Sequence, residues 1–185
     1  MVPYPFHVKA VLRRPSPKIS IVPRCYEPDM LDTLTLRDAG DGELPVFAQF
    51  WMAMFEEIGI VRESDLLEGW QARFLQYFRP RIARGEACLS VAVENGRVVG
   101  TAGALERDGY PAVVTGLRNG YIFGVRVEPQ FRGRGIARAL TERSIAFLRE
   151  RGCRRIRLHA SPAGRGIYEG LGFIATNEME LPSEI

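Results

Sequence analysis

A glycine-rich turn set between a strand pattern and a helix pattern constrains this chain more than any other feature. Residues 121–127 (Tyr-Ile-Phe-Gly-Val-Arg-Val) are rich in aromatic and β-branched side chains and read as a strand. Pro129 ends it, because proline cannot donate to a sheet ladder. From Ile136 to about Arg151, Ile136, Leu140, Phe147 and Leu148 share one broad face at helical spacing. Between the two patterns runs Gln130-Phe131-Arg132-Gly133-Arg134-Gly135-Ile136-Ala137. A turn that opens directly into a helix presents backbone N–H groups without intrahelical partners, where the helix dipole favours negative charge. Gly133 and Gly135 let an anion approach the backbone, and Arg132, Arg134 and Arg138 add positive charge. The outline is that of a pyrophosphate cradle. Alone it also fits a plain strand–turn–helix connection in which glycine only satisfies a positive φ angle. It is neither a Walker loop nor a dinucleotide fingerprint, since the Lys-Ser/Thr pair and the third glycine are missing at the required spacing.

A second motif narrows the reading. Residues 155–160 (Arg-Ile-Arg-Leu-His-Ala) alternate as another strand, and Ser161-Pro162 offers a capping serine with proline at the first helical position. Gly166-Ile167-Tyr168-Glu169-Gly170-Leu171-Gly172-Phe173 follows. With these residues the chain resembles the GCN5-related N-acetyltransferase (GNAT) superfamily. Gln130, Gly133 and Gly135 match its central Gln/Arg-x-x-Gly-x-Gly/Ala motif, and Tyr168, Leu171, Gly172 and Phe173 match its following Tyr-x-x-Leu-Gly-Phe motif.

The resemblance implies an α/β fold (α+β in some schemes): a central twisted, mixed, mostly antiparallel sheet with helices on both faces. It implies acetyl-CoA as co-substrate, a primary amine as acceptor, and direct transfer without an acyl-enzyme. By the same resemblance the Val125 N–H faces the thioester oxygen, and Val127 pairs with the pantetheine arm as though it were an added strand. Gln130 belongs to the cofactor motif. Backbone N–H groups of Arg132, Gly133, Arg134, Gly135, Ile136 and Ala137 hold the pyrophosphate. Tyr168 touches the cofactor and protonates the departing thiolate, a phenol being neutral at pH 7; simple packing of its ring is the alternative. The base that takes the amine proton stays open, with Glu106 and Tyr121 as candidates and Glu128 expected to point away. A homodimer is compatible with the family.

The rest of the chain reads as one domain. A strand near 32–37 leads into a helix near 43–58, which carries Leu44, Phe47, Trp51, Met54, Phe55 and Ile58 at helical spacing. A second helix near 64–78 has Ser64 as its cap and presents Leu67, Trp70, Phe74 and Phe78. In the family such a helical pair borders the acceptor site, so the 57–62 turn is a candidate for substrate selection. Residues 89–93 and 97–105 form a hairpin about Asn95-Gly96. Residues 106–119 read as a variable loop or irregular strand. Six of the 12 prolines fall within the first 28 residues. Residues 1–29 are therefore expected to lie outside a domain spanning 30–185, with Met30 a candidate natural start.

Composition excludes more than it assigns. The net charge is +3, lysine occurs only at 9 and 18, and no basic run interleaved with aromatics suggests nucleic acid. The arginines of 149–157 read as a solvated surface, with contact to a phosphorylated cofactor end as the alternative. Cys25, Cys88 and Cys153 lack metal-ligand spacing and read as free thiols, Cys88 in the core. His159 reads as a packed or hydrogen-bonded side chain, and no metal is expected. No apolar stretch has the length of a membrane span, and no secretory h-region precedes residue 30, so a cytoplasmic location is expected. Three functions remain: a small-molecule N-acetyltransferase, a protein N-terminal or lysine acetyltransferase, and a non-catalytic acyl-CoA-binding regulatory module.

Overall fold

Asn95 (φ 50°) and Gly96 (φ 77°) both sit at positive φ, the geometry of a two-residue hairpin turn, and fold one strand back on the next. The strands so joined are β2 (Ala87–Glu94) and β3 (Arg97–Arg107), longer than the pattern predicts. The structure is a computed structural model that describes residues 34–107, 118–176 and 178–179. The expectations for residues 1–29, including Cys25, lie outside the described residues, as does most of the 106–119 connection.

β1 (Leu34–Asp38) pairs antiparallel with β2, and β4 (Arg118–Val127) pairs antiparallel with β3. β5 (Cys153–Arg157) pairs parallel with β4, and the sheet order is β1-β2-β3-β4-β5. This is the mixed, mostly antiparallel sheet expected. Its two faces take different helices. On one, α1 (Leu44–Glu57) and α2 (Trp70–Ala83) pack Phe47, Phe74 and Phe78 against Leu89, Leu105 and Phe123. On the other, Ile136, Leu140 and Leu148 of α3 (Ile136–Glu150) cover Ala102, Ala104, Ile122 and Val127. The short α4 (Arg165–Glu169) follows β5.

Three boundaries depart from the sequence reading. Ser64 does not cap α2: residues 63–65 form a separate tight turn, and the helix starts at Trp70 behind Gly69, which is left-handed (φ 69°). Pro80 lies inside that helix rather than ending it, while Arg81 donates to the Tyr77 carbonyl at 2.8 Å. β5 stops at Arg157, so residues 158–160 leave the ladder. Cys88 is half-buried rather than core, its Sγ 3.1 Å from Asp38 Oδ1, because β2 lies beside the β1 end there. Among the described residues no helix is long and apolar enough to cross a membrane.

Candidate active site

β4 has two neighbours only along half its length. Its pairing with β5 runs from Arg118 to Tyr121 and stops, whereas its pairing with β3 continues to Val127. From Ile122 onward one edge of β4 therefore has no strand partner among the described residues. A bulge falls on the same stretch: Phe123 pairs with Gly103 and Arg126 with Thr101, so Ala102 opposes both Gly124 and Val125. Gly124 adopts φ +60°, and a Cβ there would stand 3.2 Å from Phe47 and Trp51. Fully buried Thr101 secures the bulge, its hydroxyl donating to the Gly124 carbonyl at 2.8 Å. The bulge resets the alternation, so Val125 and Val127 both pack toward α3 while their strand borders the cleft.

The glycine turn lies beside this free edge. Gly133 and Gly135 both have φ +77°, and Gly135 caps α3 in the left-handed conformation. Among the described residues no backbone acceptor meets the N–H groups of Gly133, Gly135, Ile136 and Ala137, so four donors are available at the turn and the start of α3. The Arg132 N–H instead closes its turn on the Pro129 carbonyl at 3.2 Å. The arginine side chains add less charge than expected, because each has a carboxylate partner. Arg132 pairs with Glu57 at 2.8 Å, Arg134 with Glu94 at 2.6 Å and Arg138 with Glu142 at 3.0 Å. Arg132, Gly133, Gly135, Ile136 and Ala137 line the cleft. Gln130 and Arg134 stand outside its lining, Gln130 donating to Glu128 at 2.8 Å.

The cleft measures about 2030 Å³ and runs from this turn across the free edge of β4 to the α1–α2 connection. That is about twice the upper end for a single-ligand pocket, ~1,000 Å³, and leaves room for two reactants. Tyr168, on α4, is buried at 8% exposure with its ring in T-shaped contact with Phe173, and it lines the cleft. Burial pushes its phenol above the ordinary value. Ser161 does not cap α4 itself. Its hydroxyl accepts the Gly164 N–H at 3.2 Å, closing the turn before the helix.

Of the base candidates, only Tyr121 lines the cleft. Glu106 pairs with Arg118 at 3.1 Å and Glu128 with Arg97 at 2.8 Å, and neither borders the cavity. The Tyr121 hydroxyl makes a short hydrogen bond to His159 Nδ1, and both rings line the cleft. Burial raises the Tyr121 phenol, with the nearby Arg107 charge opposing. His159 lies two residues beyond the end of β5, outside the ladder.

Three groups escaped the sequence reading: Thr101, the Tyr121–His159 pair, and Glu57. Glu57, at the end of α1, holds Arg126 at 2.6 Å and Arg132 at 2.8 Å. Partial burial works to raise its carboxyl, but hydrogen bonds and charge from the two arginines win and hold it below the usual range. The sequence marks Tyr121 singly as a base candidate, His159 as a packed or hydrogen-bonded side chain and the 57–62 turn as a selection loop, without joining Tyr121 to His159 or Glu57 to the arginines. Among the described residues no cluster of His, Cys, Asp or Glu is arranged to hold a metal ion.

Comparison with known proteins agrees with this architecture. The model of the Acetyltransferase (GNAT) family matches residues 50–173. A GCN5-related N-acetyltransferase from Ralstonia eutropha JMP134 is 30% identical, with 81% of this chain and 98% of that one covered and a TM-score of 0.69. A predicted acetyltransferase from Clostridium acetobutylicum, solved with acetyl-CoA, is 28% identical, with coverage of 80% and 96% and a TM-score of 0.70. Serotonin N-acetyltransferase 2, chloroplastic, of Oryza sativa subsp. japonica is 43% identical over 58 residues, which are 31% of this chain and 29% of that protein. The chain thus spans under a third of that curated relative. Its sheet, its glycine turn and the match over 50–173 together establish that the chain belongs to the acetyltransferase (GNAT) family of acyltransferases.

Proposed function

We propose that the protein transfers an acetyl group from acetyl-CoA directly to the primary amine of a small molecule. One observation carries this reading: the N–H donors of Gly133, Gly135, Ile136 and Ala137 at the α3 N-terminus, the free edge of β4 and Tyr168 all border one cleft. Acetyl-CoA supplies an activated thioester and a dianionic pyrophosphate. The donors of Gly133 and of residues 135–137 suit the pyrophosphate, reinforced by the dipole of a 15-residue helix. The free β4 edge at Val127 suits an extended amide-bearing arm, by the logic of strand addition.

The chemical roles follow from charge. Negative charge gathers on the thioester oxygen during attack, and a fixed backbone N–H there lowers the barrier. Val125 is the residue whose N–H the bulge would aim. Tyr168, kept protonated by burial, gives its proton to the leaving thiolate. The amine proton passes to the Tyr121 oxygen while the Tyr121 proton moves to Nδ1 of His159, so the charge ends on imidazolium. Assays of thiol released from acetyl-CoA across a panel of primary amines test the reading, with calorimetry of CoA binding alongside. Tyr168→Phe is expected to lower kcat ~100-fold or more with little change in the acetyl-CoA KM. An unchanged kcat removes Tyr168 from the acid role. CoA binding with no amine-dependent thiol release selects the regulatory module instead.

A further inference from the structure

Six large hydrophobic side chains are exposed among the described residues, and four of them, Ile58, Ile60, Leu67 and Tyr77, line the cleft. Ile60 and Leu67 are 64% and 65% exposed, on the connection between α1 and α2. Half-buried Trp51 and Trp70 continue the same wall. Exposed apolar surface concentrated at one cavity marks a binding face rather than chance surface composition. This wall belongs to the α1–α2 side of the cleft, where Glu57 joins Arg132 of the glycine turn at 2.8 Å.

The charges of the cavity agree with an apolar occupant. Its lining holds four arginines (73, 126, 132, 138) against two carboxylates, Glu57 and Asp65. Of the two, Glu57 is already taken up by arginines. Glu57 is shared by Arg126 and Arg132, and Asp65 accepts the Arg62 N–H at 2.8 Å. A polyamine, an aminoglycoside or a lysine-rich peptide would bring several positive charges against a lining in which Asp65 is the one carboxylate not already shared by arginines among the described residues.

We infer that the acceptor is a primary monoamine with an aromatic or branched aliphatic body, seated on the Ile60–Leu67–Trp70–Tyr77 wall. This rests on the transfer reading above. Only the attacking nitrogen then needs a polar partner, and the Tyr121–His159 pair stands in the same cleft.

The test measures thiol release from acetyl-CoA with 2-phenylethylamine, tryptamine, spermidine and kanamycin. The kcat/KM for 2-phenylethylamine is expected to exceed that for spermidine ~100-fold, the ratio that burying one aromatic body sustains. Leu67→Asp changes a side chain already mostly in water, so the fold should tolerate it. It is expected to raise the 2-phenylethylamine KM ~10-fold while leaving the acetyl-CoA KM unaltered. Equal or better turnover of spermidine or kanamycin overturns the inference and leaves the transfer reading standing, as does an unchanged KM in Leu67→Asp. Acetyl-CoA binding without thiol release to any amine overturns the transfer reading, and this inference with it.

Discussion

Replacing Thr101 with valine removes one hydroxyl from the bulge that shapes the free edge of β4, and its cost can be worked from the structure. Thr101 is fully buried, and its Oγ1 donates to the Gly124 carbonyl at 2.8 Å. Valine has nearly the same shape, so no cavity term enters. What remains is a carbonyl left without that donor, at a cost of ~1–3 kcal/mol. For a domain of this size each kcal/mol moves Tm by about 2–4 °C, so a fall of ~2–12 °C is expected. The functional effect has its own ceiling. If the bulge relaxes and the Val125 N–H swings from the thioester oxygen, the loss is bounded by that of one oxyanion donor, ~100–1000-fold in kcat. A kcat reduced ~10-fold or more, with CoA affinity by calorimetry nearly unchanged, is the expected pattern. Urea denaturation and steady-state thiol release measure both sides. Thr101→Ser keeps the hydroxyl and should recover most of the kcat while losing a methyl's worth of stability. Valine and parent enzymes within ~0.5 kcal/mol of each other, with equal kcat, would refute the claim that this hydrogen bond sets the bulge.

Gly133 has open space where a Cβ would go but holds φ +77°, so Gly133→Ala should cost ~1–2 kcal/mol of backbone strain. The acetyl-CoA KM should rise with it, and an unaltered KM would detach this turn from pyrophosphate binding. Glu43 and Glu57 have carboxyls held below the usual range, Glu43 through its hydrogen bond to Arg37, Glu57 by Arg126 and Arg132 against the effect of burial. Their stabilisation is present above the ordinary carboxylate pKa of about 4.3 and is lost as pH falls through the lower folded-state values. Glu57→Gln should flatten the fall of the urea midpoint below that pH, and parallel profiles for parent and variant would contradict the assignment. Cys88 is pushed up to about 11, chiefly by burial. Its alkylation at pH 8 should be slow in the folded protein and fast in urea, as mass spectrometry of the labelled peptide would show.

Features set by neighbouring residues were legible in the sequence. Asn95-Gly96 demands positive φ at consecutive positions, so the hairpin is local chemistry. Gly133 and Gly135, followed by apolar residues at helical spacing from Ile136, specify a turn opening into a helix N-terminus, and they stand at φ +77° as that requires. The α1 pattern gave its helix within a residue at either end. The misread start of α2 came from taking Ser64 as a cap, when left-handed Gly69 behind a separate turn sets the boundary.

The sequence by itself determined the donor half of the candidate site, because a glycine turn, a strand and a helix N-terminus are consecutive in the chain. Tertiary structure decided the rest. Glu57 meets Arg126 and Arg132 across 69 and 75 residues, Tyr121 meets His159 across 38, and Thr101 meets Gly124 across 23. Those pairings depend on strand register, on the bulge and on where β5 ends. These are set by packing against both helical layers and leave no periodic mark in the chain. For the same reason Arg132 and Arg134 of the cradle read as free charge in the sequence, and only the fold brought Glu57 and Glu94 to them, whereas Arg138 meets Glu142 locally, four residues on in α3.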